Sequence, residues 1–513
     1  MSPLRAPRGL SASETRGFVR ELERRLQPLD RAILLADWNQ QTGRSTRTAA
    51  GLQRKRLHLL SDEGLLDWVR AARRERWPRV LSRQLELLER IVLDTRVEQD
   101  PEVAALRSQL NSRIVAFRPQ WEGRRVGREV VHRVLRQDPD PTRRRRAYYT
   151  LESLHRPLEE EFRRLVRLRN ERAREAGFRS MAHLRLGFQG LTPERVRELI
   201  DGTLGPVPRG TRRLRELLSQ GDRSGEWYPW DQEYAREQRA PLPDRLFPRG
   251  SMLPRVLRAV SRWGFRTPQM RFRVVFHDLP AGGLTLAPDP PSDVRILVHP
   301  RGGWGAYHVM FHEVGHAVQS ASLRAPGHLL RWHENIPGFG GFHEGIGSLF
   351  EEIPRDAGWL VGEAGVDRRS AEAFARAEAD RDLFNVGYLG PWIQAELDLY
   401  RNPDQDPMPA AEALARRLFG FGAYRPRSFV DWFYVADPIY SANYLLATLF
   451  HYQLTRTITS ELGAPLWPNR RVGPWLTRHW FRAGSFVEWG PHLREVTGAR
   501  LSARAFLERF SES

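Results

Sequence analysis

Apolar residues return every three or four positions through most of the first 200 residues, and this period constrains the fold more than any other feature. Side chains so spaced fall on one face of an α-helix. "EGLLDWVRAARRERW" and "PRVLSRQLELLERIVLDTRV" carry the pattern. "LEEEFRRLVRLRNERAREAG" reads as a helix stopped by Gly177. "LTPERVRELIDGTLGPV" reads as one opened by Thr192, with Pro193 at the first helical position. Near the start, Ser13 is read as an N-cap with an incomplete capping box.

From about position 205 to 250 prolines and glycines cluster, which predicts a long connection with a short helix. The one β region predicted comprises "MRFRVVFHDLP", "GGLTLAP" and "DVRILVHP", where β-branched residues alternate between turn residues. Beyond Gly340 the helical period resumes. The expectation is a mainly α protein with one small sheet. Its organisation is an N-terminal helical region (1–204), a connecting region (205–265) and a C-terminal region (266–513).

Cysteine is absent, which excludes disulfides and thiolate metal sites, so any metal must be held by His, Asp or Glu. The N-terminal stretch is charged and lacks the apolar core of a secretory signal. No apolar run reaches the length of a membrane span. The expectation is a cytoplasmic protein that engages no membrane. Net charge is +19, almost all from arginine, with Lys55 the sole lysine. The densest run, Arg143 to Arg146, precedes Tyr148 and Tyr149, a pattern that can grip single-stranded nucleic acid. The segment soon turns acidic, however, and arginines mixed with glutamates more simply make solvated helix faces. Nucleic acid is therefore not an expected partner, and the oligomeric state is left open.

The stretch "AYHVMFHEVGHAVQSASL" carries the chemistry. His312 and His316 stand four apart, so on a helix both imidazoles face one point. Glu313 follows the first histidine. This HExxH pattern binds zinc through two histidines and uses the glutamate as a base. Gly302, Gly303 and Gly305 supply a lead-in turn. Catalytic zinc takes a third protein ligand, and Glu344, in "NIPGFGGFHEGIGSLFEEIP", is the leading candidate. His343 is adjacent but turned elsewhere, as a structural or substrate-facing residue. His308, one turn before His312, falls outside the ligand set, because three consecutive turns of a helix span about 12 Å.

"MFHEVGHAVQ" followed by "GFHEGIGSLFE" resembles the gluzincin metallopeptidases, and within them the peptidyl-dipeptidase A family that includes angiotensin-converting enzyme. The interval between the two motifs is longer than in that family, with "GFGG" as the insertion. By resemblance, His312, His316 and Glu344 bind one Zn2+ per chain and Glu313 is the base. "VVFHDLPAGG" resembles the strand bearing a substrate-binding histidine, here His277. "DPIYSANYLLATLFHYQL" resembles the helix bearing the catalytic tyrosine, here Tyr444, with Tyr440 one turn earlier as a substrate-facing residue. "ADWNQQTGR", "LVRLRNERAREAGFRSMAHLRL" and "WYPWDQEY" are looser likenesses to this family or to related oligopeptidases. The resemblance implies a two-lobed helical body around a deep cleft that admits short peptides.

Two departures stand out. Ser348 occupies the place of the aspartate that orients a ligand histidine in the family; Glu351 matches a glutamate of the oligopeptidase relatives and takes that role, with Glu352 as its rival. The family's lysine for the substrate carboxylate has no counterpart, since Trp432 or Tyr434 falls there, and Arg425 or Arg427 would have to substitute. Three enzymatic outcomes stay open: dipeptide release, internal cleavage of oligopeptides, and metallocarboxypeptidase release of single residues. A basic nucleic-acid-binding protein with a vestigial zinc site is the alternative from another class.

Overall fold

A computed structural model describes residues 4–45, 48–212, 226–238, 240–267, 270, 272–277, 282–331 and 336–511. The protein is mainly α-helical with two small sheets, as the apolar period predicts. No helix among the described residues is long and apolar enough to cross a membrane.

Helix ends follow local chemistry. The helix Glu159–Glu175 is followed by Gly177 at φ 93°, and Thr192 accepts the Arg195 amide at the head of Pro193–Thr203. The first helix, Ala12–Gln41, corrects an expectation: its N-cap is Ser11 rather than Ser13. The Ser11 hydroxyl accepts from the Glu14 amide, and the Glu14 carboxylate accepts from the Ser11 amide, each at 3.3 Å. The capping box is therefore complete, two residues earlier than read.

Strands β1 (Gln120–Trp121) and β2 (Arg124–Arg125) form a short antiparallel ribbon that the sequence reading did not include. Its turn places Glu122 at φ 48° and Gly123 at φ 80°. Strands β3 (Phe272–Phe276), β4 (Gly283–Asp289) and β5 (Asp293–Val298) form the expected sheet. β5 is central, parallel to β3 and antiparallel to β4. Residues 278–281 of the "HDLPAGG" turn, and 213–225 within the predicted connection, lie outside the described residues. The short helix predicted in that connection is Gln232–Gln238.

The chain groups into two compact units, each drawn from several stretches rather than from consecutive sequence. The first comprises 1–99, 243–366 and 450–501. Its sheet lies against the helix Trp304–Ala321, with β4 also touching Ala12–Gln41. Met310, Phe311, Val314 and Val318 of Trp304–Ala321 are fully buried. Phe311 meets the Trp359 ring edge-on at 5.4 Å. Burying a side chain of this kind contributes about 1.5–3 kcal/mol, so the HExxH helix is held as core.

The second unit comprises 100–242, 367–449 and 502–513. Two of its buried ionisable groups take backbone partners within the unit. Arg169, fully buried, donates to the Tyr434 and Val435 carbonyls at 2.8 and 2.9 Å. Glu396, 1% exposed, accepts from the amide of Ile439, whose φ of 64° is strained for a β-branched residue.

Candidate metal centre

Gly303, at φ 92°, opens the helix Trp304–Ala321 and donates its amide to the Phe247 carbonyl at 2.9 Å. Only a residue without Cβ takes this backbone turn at little cost. The helix then carries His312 and His316 on one face, as their spacing requires. The second helix, Gly340–Arg355, carries Glu344. The two helices approach closely because both have glycine at the contact. A Cβ on Gly315 would lie 3.1 Å from the Phe350 ring, and one on Gly347 would overlap the His312 imidazole.

Here the three sequence-predicted ligands meet. Nε2 of His312 and Nε2 of His316 are 3.0 Å apart, and His312 Nε2 is 3.3 Å from Glu344 Oε2. One ligand atom from each of His312, His316 and Glu344 lies within 4.8 Å of the others, a group able to hold a metal ion. Two donors at zinc–nitrogen distance in a tetrahedral shell are about 3.3 Å apart, so the two separations from His312 Nε2 fit. The donor chemistry fits as well: two imidazoles and a carboxylate, with no thiolate available in the chain.

The surroundings set the protonation of each group. His312 Nδ1 lies 2.9 Å from Glu351 Oε1. Burial disfavours the charged form of His312, but Glu344 and Glu351 outweigh it and hold the ring well above the usual histidine range. Burial alone would raise Glu351; His308 and His312 reverse this and hold it well below the usual carboxylate range. His308 Nε2 is 3.2 Å from Glu351 Oε2, and the Arg355 guanidinium is 3.3 Å from the same oxygen. His308 thus lies outside the ligand trio but is tied to it through Glu351. Glu352 instead pairs with His451 at 3.1 Å, so of the two rival glutamates it is Glu351 that meets the ligand ring. Ser348, one turn after Glu344, makes no hydrogen bond to either imidazole.

Glu313 is 7% exposed. The Thr285 hydroxyl, on β4, donates to Glu313 Oε2 at 2.7 Å and lies 2.9 Å from the Glu313 carbonyl. Burial pushes the Glu313 carboxyl up to about 7, against the opposing pull of His312 and Thr285. Gly283, also on β4, gives this side chain its room, since a Cβ there would lie 2.7 Å from the Glu313 Cγ. His343 does not reach the ligand atoms. Its ring stacks on His316 at 3.9 Å between centroids, and its Nδ1 is 3.0 Å from Gln319 Oε1.

The other predicted site residues have neighbours of their own. His277, at the end of β3, is half-buried, and its amide donates to the Val298 carbonyl at 3.0 Å. Its ring lies 3.7 Å from where a Cβ on Gly43 would sit. Tyr440 and Tyr444 belong to the second unit, where their rings meet edge-on at 5.6 Å and Phe433 stacks on Tyr440. Of the arginines considered for a substrate carboxylate, Arg427 is engaged by Glu152 at 2.9 Å and by the Tyr388 hydroxyl at 3.2 Å. Arg425 lies over the Tyr149 ring at 4.8 Å.

The arginine run is likewise engaged. Arg143 pairs with Glu122 and Asp138, and Arg144, 4% exposed, donates to Asp231 at 2.6 and 3.0 Å. Arg145 and Arg146 lie over the rings of Trp230 and Trp121. Thr285, Gln319, Arg355 and Gly347 escaped the sequence reading. Glycine recurring at Gly345 and Gly347 beside the motif glutamate was the one available signal for a close helix approach; the partners of Thr285 and Arg355 leave no local trace. No family model matches the chain, and no curated protein matches it significantly.

Proposed function

We propose that this chain is a zinc-dependent peptidase acting on short peptides, in the manner of the peptidyl-dipeptidases or oligopeptidases. The observation that carries the reading is the convergence of His312, His316 and Glu344, with the buried Glu313 carboxylate on the same helix.

His312, His316 and Glu344 would hold zinc, which would act as a Lewis acid and lower the pKa of water from 15.7 to about 7. The chain's residues do the rest. Glu351 fixes the His312 ring through Nδ1, and Nε2 would be the atom offered to zinc on loss of its proton. Thr285 anchors Glu313 Oε2 and leaves Oε1 as the free end. Oε1 accepts the proton of the attacking water and returns it to the leaving amine. A carboxyl raised toward neutrality by burial suits both transfers, because it holds the proton and releases it at similar cost. Tyr440 and Tyr444 belong to the second unit; the reading rests on the first unit alone.

The test is a mixed peptide pool analysed by mass spectrometry after incubation with the protein, with and without chelator, beside Glu313→Gln. The expected result is chelator-sensitive cleavage that Glu313→Gln abolishes while retaining about one zinc per chain. Undiminished cleavage by that variant would remove Glu313 as the base. Product lengths separate dipeptide release from internal cleavage and from single-residue release.

A further inference from the structure

The two ligand imidazoles are oriented by different means. A histidine bound to a metal through one ring nitrogen normally donates the other N–H to a carboxylate, a carbonyl or water, and that bond fixes the ring. His312 has this arrangement with Glu351 at 2.9 Å. His316 does not. Its Nδ1 is buried and has no hydrogen-bond partner among the described residues. Ser348, one helical turn past Glu344, does not supply one.

A histidine ring left to its own torsion has a broad energy well at χ2. Rotation there sweeps Nε2 along an arc and away from the ligand position. Something else must hold the plane: the His312 ring meets it edge-on at 4.6 Å but is itself a proposed ligand, and a second ring lies flat on it. The His343 ring lies against His316 with centroids 3.9 Å apart and planes 13° from parallel. His343 is fixed in turn by Gln319, one turn beyond His316 on the motif helix, whose Oε1 lies 3.0 Å from His343 Nδ1. Gln319 is 1% exposed. The motif helix thus braces its own second ligand through a residue of the neighbouring helix.

We propose that His343, anchored by Gln319, is a positioning residue that holds the His316 imidazole in its ligand plane by face-to-face stacking, in place of a hydrogen bond to Nδ1. The inference rests on the zinc reading above, and its consequences separate a flat ring from a hydrogen-bonding one. His343→Phe keeps the stacking face and loses the bond to Gln319. His343→Asn removes the face altogether. Gln319→Leu keeps the His343 ring but frees it to turn.

The experiment measures zinc affinity of metal-stripped protein by competition with a chromophoric chelator, and the visible spectrum of the Co2+-loaded protein, which reports ligand geometry. His343→Asn is expected to weaken zinc binding about 10- to 100-fold, the usual cost of losing a partner that orients a ligand, and to change the Co2+ bands. His343→Phe and Gln319→Leu, which each keep a ring face but lose the anchor, are both expected to fall between. His343→Asn binding zinc as tightly as the native chain would overturn the proposal. So would His343→Phe failing as badly as His343→Asn, because the imidazole and not its plane would then matter. If circular dichroism shows His343→Asn unfolded, Gln319→Leu decides: native affinity and spectrum in that variant would overturn the brace. A native chain that binds no zinc would sink the peptidase reading and this inference together, whereas equal affinities across the variants would sink this inference alone.

Discussion

Two helical regions are dense in charged side chains, and they use them in opposite ways. On the arginine-rich helix Pro141–Glu152, each cation of the run Arg143–Arg146 meets a carboxylate or an aromatic ring. On the helices Trp304–Ala321 and Gly340–Arg355, His312 Nε2 lies 3.0 Å from His316 Nε2 and 3.3 Å from Glu344 Oε2, and one atom of each of the three residues lies within 4.8 Å of the others. In the first, each cation has a partner of its own, a carboxylate for Arg143 and Arg144 and a ring for Arg145 and Arg146. The second gathers lone pairs, which a cation satisfies. Charge density alone therefore does not mark a site; the direction in which the groups are aimed does.

The contrast breaks if either region behaves like the other. The largest effect is expected from Glu344→Ala, which removes one of the three proposed ligands. Its zinc affinity should fall by more than the roughly 10- to 100-fold that loss of an orienting partner costs, with cleavage lost in step. Retention of full zinc in metal analysis would move the third ligand elsewhere. Next comes Arg144→Ala, which strands Asp231, 4% exposed, without its buried cation. Breaking such a pair costs about 3–5 kcal/mol, so denaturant melts should show a large loss of stability while zinc affinity in the folded protein stays native. A change in zinc affinity would end the separation drawn between the two regions.

Gly347→Ala sharpens the comparison within the metal-binding pair. The added methyl would overlap the His312 ring. Overpacking of this kind costs about 1–3 kcal/mol, and here it should appear as weaker zinc binding as well as a lower melting temperature. A purely thermal effect would show that the ring can shift without leaving its ligand position.

A pH-dependent effect concerns a third use of a buried carboxyl. Burial pushes Glu396 up to about 8, with the Ile439 amide pulling the other way. The unfolded carboxyl titrates near 4.5, so folding takes up a proton between these values. The stability associated with this group is complete below about pH 4.5 and is lost as pH rises through about 8, at up to about 1.4 kcal/mol per pH unit. Glu396→Gln carries no charge and should escape that loss. Its stability relative to the native chain should therefore rise between pH 5 and pH 8, measured by chemical denaturation; a pH-independent difference would show that Glu396 ionises without cost.

Several features were legible in the residues because they depend on near neighbours. The face shared by His312 and His316, the cap at Thr192, the stop at Gly177 and the small sheet all follow from spacings of a few residues. Ser11 shows the limit of such reading: the cap fell two residues from the serine chosen, and only the reciprocal bonds with Glu14 distinguish them. Other features depend on groups far apart along the chain. The choice between Glu351 and Glu352 was settled by which one reaches His312, 39 residues earlier for Glu351. Thr285 meets Glu313 across 28 residues, and Arg144 meets Asp231 across 87.

By itself the sequence determined that the chain is mainly helical and that two imidazoles and a carboxylate share one helix, because helical geometry alone dictates both. Tertiary structure decided which distant side chains face them: that Glu344 arrives at the imidazoles, that Glu351 holds one ring and His343 lies flat on the other, and that each arginine of the run meets a carboxylate or a ring. Those choices depend on how helices pack, and packing is fixed by the whole buried surface and not by any stretch of residues.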